Sequence, residues 1–217
     1  MLSTLLFERF QPRSKIILNF FLLYRHFLSS QEETEVVGGV ARRLSAISNS
    51  TLKSMALSTP RNTAAADEEA LVELGLSTGL FSAEEADAFL RSSLHGVHNG
   101  TVDAATHVAR TIDNVDGTPA GWKYMSVDTG GAEGVWELWW IGVAPSVSRQ
   151  GVGSALLKDA EGVAKGAGAR MLLISTSSSE ATAGARSFYA QRGYKEVGRI
   201  PAYYGPGDDK VILWKEL

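Results

Sequence analysis

Three residue patterns in this 217-residue chain could do chemistry. The first is Gly151-Val152-Gly153, preceded by Ser148-Arg149-Gln150 and followed by Ser154-Ala155-Leu156-Leu157. Apolar residues at helical spacing begin at the glycines. The backbone N–H groups of that first turn therefore have no partner four residues back, and the helix dipole adds partial positive charge that suits an anion. Glycine lets the backbone come close to a bulky phosphate. The same Gly-x-Gly is more commonly an ordinary tight turn. The second is Glu137, an acid among Trp136, Leu138, Trp139 and Trp140, where loss of water moves a carboxyl toward the working range of a general base. Strand alternation equally allows Glu137 to face solvent. The third is Phe188-Tyr189, whose phenol is either a proton donor or plain helix packing.

These residues need elements to hold them. Val135–Val143 reads as an apolar strand, ended by Pro145, which cannot donate to a ladder. From Gly151, the set Val152, Leu156, Leu157, Ala160, Val163 and Ala164 forms a helical stripe that stops at Gly166 and Gly168. Met171–Ile174 is a continuous apolar run of the buried parallel kind, so a right-handed crossover pairs it with Val135–Val143. Upstream, Asp67 to Gly75 reads as a short helix, and Ser82-Ala83-Glu84-Glu85 is a capping box opening a second one with Ala86, Phe89 and Leu90 on its apolar face. Thr106–Ile112 and Gly121–Val127 alternate as antiparallel strands around the turn cluster Asp116-Gly117-Thr118-Pro119. A first strand is indistinct and is placed near Leu52–Ser58.

The order strand, Gly-x-Gly, helix, buried strand, then Ala185-Arg186-Ser187-Phe188-Tyr189-Ala190-Gln191-Arg192-Gly193-Tyr194 resembles the GCN5-related N-acetyltransferase (GNAT) superfamily. The resemblance covers roughly residues 62–217 and is strongest after residue 134. It implies an α/β domain with a mixed, mostly antiparallel sheet flanked by helices and a parallel strand pair splayed at the acetyl-CoA site. It implies that the loop Ser148, Arg149, Gln150, Gly151, Val152, Gly153 and Ser154 binds the pyrophosphate of acetyl-CoA. The family has Gln or Arg where this chain has Ser148, which leaves more of the anion to backbone amides, with Arg149 next to it. The backbone of Ile141, Gly142 and Val143 would bond the pantetheine arm, with the Ile141 or Gly142 amide near the thioester oxygen. Glu137 would be the base, directly or through water, and Tyr189 would protonate the leaving thiolate. Thr182 stands where relatives carry a pantetheine-binding asparagine, or is only a helix cap. Trp139 and Trp140 line an acceptor pocket or pack in the core. Tyr203-Tyr204-Gly205-Pro206-Gly207-Asp208-Asp209-Lys210 reads, on balance, as a solvated hairpin loop, against the alternative of a cation-binding wall.

Composition narrows the partners. The net charge of −3 argues against nucleic acid. The chain has no cysteine, which excludes disulfides and thiol nucleophiles, and its four histidines (His26, His95, His98, His107) show no metal-ligand spacing, so no metal is expected. No Lys-Ser/Thr pair follows the glycines, which disfavours a nucleotide P-loop. Residues 1–60 hold seven Lys/Arg against four Asp/Glu, and the apolar run Ile16–Tyr24 is too short for a membrane span of about 20 residues. Residues 1–61 are therefore read as an extension, dispensable, disordered or targeting, ahead of an N-acetyltransferase domain at 62–217. The expected location is cytoplasmic, or an organelle if residues 1–54 are a transit peptide. A start at Met55 is the plainer alternative. The expected function is transfer of an acetyl group from acetyl-CoA to a primary amine, of a small molecule or an amino-acid-like acceptor. Its alternatives are a protein lysine or N-terminal acetyltransferase and a non-catalytic acyl-CoA-binding module. A homodimer is left open.

Overall fold

The apolar run Val135–Val143 becomes the central strand, and the other elements are arranged around it. The computed structural model describes residues 58–79, 81–128 and 130–217, and a compact unit spans Met55–Leu217. Of the extension read over residues 1–61, residues 1–57 lie outside the described residues, as does nearly all of the strand expected at Leu52–Ser58. The first described strand is β1 (Arg61–Asn62). The expected boundary between residues 61 and 62 therefore falls inside a strand. Arg61 is tied to Asp67 and Asp113 by charged hydrogen bonds of 2.6–3.0 Å.

After β1 come β2 (His107–Asp113), β3 (Pro119–Val127), β4 (Val135–Val143), β5 (Met171–Ser177), β6 (Lys195–Gly205) and β7 (Asp208–Glu216). They form one sheet in the order β1-β2-β3-β4-β5-β7-β6. Every pairing is antiparallel except β4–β5, which is parallel as the crossover requires. The sheet is mixed and mostly antiparallel, as expected.

Helices cover both faces. On one lie α1 (Glu68–Ser77) and a second helical stretch, α2 (Ala83–Glu85), a π-helical turn at Ala86–Arg91 and α3 (Ser92–Asn99). The capping box is present: Glu85 N–H donates to Ser82 Oγ at 3.2 Å, and Ser82 N–H to Glu85 Oε2 at 2.8 Å. Leu71, Leu74, Leu90 and Leu94 pack there on Trp122 and Tyr124 of β3. Gly75 does not end α1 as expected but lies inside it. Any Cβ there would overlap the Leu90 methyl, so the glycine serves helix–helix contact. Phe89 is half-exposed and joins the cleft described below. On the other face lie α4 (Val152–Gly166) and α5 (Ala183–Ala190). Leu157, Ala160 and Ala164 of α4 and Tyr189 of α5 pack on Trp136, Leu138, Leu172 and Ile174. Val163 of the expected stripe is only partly buried.

Candidate active site

The site begins with an irregularity in β4. Its register with β3 runs Tyr124↔Trp140 and then Met125↔Leu138, so Trp139 is an extra residue, a β-bulge. A bulge bends its strand and increases its twist. The parallel ladder to β5 stops at the same place, at Leu138↔Ile174, although both strands continue. Beyond it β4 stays with β3 and β5 stays with β7, leaving a wedge-shaped gap in the sheet.

Backbone groups line that gap. Ala144 N–H bonds Ala120 C=O at 2.9 Å, so by strand alternation Gly142 and Trp140 also turn their backbone toward β3. Ile141 and Val143 then aim theirs into the gap. Of the two amides considered for the thioester oxygen, that of Ile141 faces the gap and that of Gly142 faces β3. An open cleft of about 510 Å³ runs through the gap, lined among others by Ile141, Gly142, Thr182, Tyr189, Ser175 and Tyr204.

Below the gap, the chain leaves β4 through a turn at Pro145–Val147 and enters α4. Arg149 has φ +64° and Gly151 φ +95°, and Gly151 is the N-cap without any side-chain cap. The N–H groups of Val152, Gly153 and Ser154 find no acceptor among the described residues, the first turn holds no acid, and Ala155 makes the first bond back to Gly151. Ser148, Arg149 and Gln150 are exposed beside these donors. A Cβ on Gly153 would face the Phe188 ring at 3.5 Å and Val143 at 3.6 Å. These are ordinary contact distances, so packing does not demand a glycine at 153, while the positive φ at Gly151 supplies the turn. Ser154 turns its hydroxyl aside, accepting from Arg192 at 2.5 Å, and that guanidinium stacks 3.7 Å above Phe188.

Glu137 lies half-buried on the α1–α3 side, where its carboxylate accepts from Ser175 Oγ at 2.9 Å. Leu173 is its cross-strand partner, so the side chain leans two residues along β5 toward the mouth of the gap. Tyr189 is on the other face, buried at 5% exposure with its ring edge-on to Phe188 and Tyr194. Burial pushes its phenol well above the usual range. The group therefore stays a protonated hydrogen-bond donor. Thr182 lines the cleft but makes no cap. Its hydroxyl donates to Ser177 C=O at 2.7 Å and accepts from Arg186 at 2.7 Å.

Residues 79–194 match the sequence profile of the acetyltransferase (GNAT) family. The chain belongs to that family. No curated protein matches the sequence. Among solved structures it is similar to a GNAT-family protein from Desulfovibrio desulfuricans, at 29% identity and TM-score 0.68 over 74% of this chain and 99% of that one. It is also similar to the ribosomal-protein-S18-alanine N-acetyltransferase of Escherichia coli, at 20% identity and TM-score 0.58 over 73% and 92% of the two chains. A third is the PaiA N-acetyltransferase of Thermoplasma acidophilum, solved with coenzyme A, at 18% identity and TM-score 0.57 over 75% and 99%. The last two speak for the GNAT fold alone. No helix among the described residues is long and apolar enough to cross a membrane, and no group of three or more His, Asp or Glu among them could hold a metal ion.

Within this GNAT fold the tail departs from the solvated loop expected. Only Pro206-Gly207 remain as a turn, because Tyr203–Gly205 extend β6 and Asp208–Lys210 begin β7. Asp208 accepts from Ser177 Oγ at 2.5 Å and Ser178 N–H at 3.1 Å, fastening the start of β7 to the end of β5. Asp209 accepts from Ala202 N–H at 2.9 Å and from Arg199 at 3.1 Å, arching residues 201–204 outward. Tyr204 thereby reaches the cleft. Burial, and then the charges of Tyr203, Asp208 and Glu137, push its phenol up. The bulge also puts two consecutive tryptophans on Glu137's face. Trp139 Nε1 donates to Ser126 Oγ at 2.8 Å, and Trp140 packs edge-on to Phe81 at 5.2 Å. Phe81, Phe89, Ser175 and Glu85 complete this end; the sequence pattern marked Phe89 and Glu85 only for helix packing and capping, and Phe81 and Ser175 not at all.

Proposed function

We propose that the chain is an acetyl-CoA-dependent N-acetyltransferase whose acceptor is a primary amine of a small molecule. The observation carrying this reading is the gap between β4 and β5, with a carboxylate on one side and an un-ionised phenol on the other. Membership of an acetyltransferase family and the uncapped amides of α4 support acetyl-CoA as the donor, with its pyrophosphate on Val152, Gly153 and Ser154 and with Ser148, Arg149 and Gln150 around it. The pantetheine arm runs beside β4 as an added strand on Ile141 and Val143, past Gly142 and Thr182.

The chemistry divides between the faces. The ammonium group of the acceptor gives a proton to Glu137, directly or through one water, and the free amine attacks the thioester carbon. The Ile141 N–H donates to the oxygen that becomes negative. As the C–S bond breaks, Tyr189 O–H donates to the departing sulfur, and the second proton, which the nitrogen sheds as the amide forms, replaces the one Tyr189 passes to the thiolate.

The test is coenzyme A thiol release from acetyl-CoA with a panel of amines, amino acids, polyamines and peptides. Release that needs a primary amine and yields the N-acetyl product supports the reading. Acetyl-CoA binding without transfer to any amine leaves an acyl-CoA-binding module instead.

A further inference from the structure

We propose that the acceptor end of this cleft selects amines that carry a flat aromatic body and no carboxylate. The inference rests on the acetyltransferase reading and narrows it to a substrate class. Its walls are aromatic: Phe81, Phe89, Trp139, Trp140 and Tyr204 line it. Three of these side chains are left about half uncovered, with Phe89 49%, Trp139 39% and Tyr204 50% exposed. Large apolar side chains left open around a cavity suit an apolar ligand, and their faces also attract a cation.

The charges all have one sign. Asp208 and Glu85 line the cleft, and Glu137 stands behind Ser175. Among the described residues, no Lys, Arg or His lines it. Cations on adjoining segments face other groups: Arg186 the carbonyls of Ser177 and Ser179, Arg199 the carboxylates of Glu196 and Asp209, and Lys210 the ring of Tyr203 at 5.0 Å. The buried donors at its floor with no partner among the described residues, Trp122 Nε1 and Trp140 Nε1, are neutral indoles. A substrate carboxylate would enter against like charge with no counter-ion, whereas an ammonium meets carboxylates and ring faces. An α-amino acid is thus the wrong acceptor and its decarboxylated counterpart the right one.

The experiment compares matched pairs, phenethylamine with phenylalanine and tyramine with tyrosine, alongside butylamine, putrescine and a short peptide. We expect kcat/KM for each aralkylamine to exceed that of its amino acid by on the order of 100-fold and that of butylamine by about tenfold. Phe89→Lys supplies the missing cation and should shrink the amine-to-amino-acid ratio at least about tenfold. Quenching of tryptophan fluorescence by phenethylamine, but not by phenylalanine, reads the same selection without chemistry. Equal turnover of amine and amino acid would overturn the proposal. So would a preference for putrescine or for the peptide. Selective quenching with no thiol release from any amine would sink the acetyltransferase reading and leave the selectivity standing.

Discussion

Replacing Glu137 with glutamine isolates the proton acceptor. The amide keeps an oxygen for Ser175 Oγ, now 2.9 Å from the carboxylate, so the side chain should stay in place. What is lost is the ability to take a proton. An alkylammonium group has a pKa of about 10.4, so about one molecule in 2,500 is free amine at pH 7. A variant without a base must draw on that fraction. Turnover should then fall by up to about a thousandfold at pH 7, inside the roughly 100- to 10,000-fold range for loss of a general base. The deficit should narrow about tenfold per pH unit as the amine deprotonates by itself. Acetyl-CoA affinity, set across the sheet at α4, should barely change. Single-turnover rates from pH 6 to 10, with calorimetry for acetyl-CoA, test this. Ser175→Ala, which removes only the bond that orients the carboxylate, should cost about 1 kcal/mol, a few-fold in rate. A Glu137→Gln rate within threefold of wild type at pH 7, or a deficit that does not shrink at high pH, refutes the assignment of the base.

Tyr189→Phe keeps the ring contacts with Phe188 and Tyr194 and removes the hydroxyl. Turnover should fall less than for Glu137→Gln, and the loss should shrink with acyl donors bearing better leaving thiols, as steady-state comparison of thioesters will read. Gly151→Ala forces a side chain onto φ +95°. It should cost about 1–2 kcal/mol of stability and weaken acetyl-CoA binding, measured by denaturation and calorimetry. Lys123 is fully buried under α4 with Asp159 at 3.2 Å, and burial outweighs that partner, pushing its ammonium down to about 8. Between about pH 8 and 10.5 the unfolded chain holds a proton that the folded chain lacks, so stability rises with pH there. The gain is about 1 kcal/mol per pH unit and about 3 kcal/mol in all, and Lys123→Met should flatten it in denaturation series at pH 8, 9 and 10.

The strongly periodic parts of this fold were readable from sequence. β4, the stripe of α4, the Ser82–Glu85 box and the β2–β3 pair each repeat one local rule over several residues, so local chemistry decides them. What could not be read depends on distant partners. Gly75 looks like a helix stop, and only Leu90, fifteen positions on, makes it an interior contact. Asp208 and Asp209 look like turn residues. Their acceptors are claimed instead by Ser177, Ser178, Ala202 and Arg199, a tertiary match with no local mark. The candidate site divides in the same way. Its backbone components at β4 and α4 were legible, whereas Tyr204, Phe81 and Phe89 come together only when the tail and α2 close over the sheet.

Trp139 shows how one residue can escape a sequence reading and still decide the site. Among the consecutive apolar residues 138–141 an extra residue leaves no trace, yet it sits where the β4–β5 ladder ends and places two tryptophans on one face. Deleting it offers a sharp test. Without Trp139 the run Glu137, Leu138, Trp140 alternates normally, so Leu138 still faces α4 and Trp140 still faces α1, and the core keeps its partners. The variant should therefore fold, losing the Ser126 hydrogen bond and the surface of one half-exposed indole, about 1–3 kcal/mol together. With the bend gone, β4 can continue alongside β5 and close the gap on the backbone of Ile141 and Val143. The deletion should melt cooperatively yet bind acetyl-CoA at least about tenfold more weakly. Unchanged affinity in a folded deletion variant would mean that the gap owes nothing to the bulge.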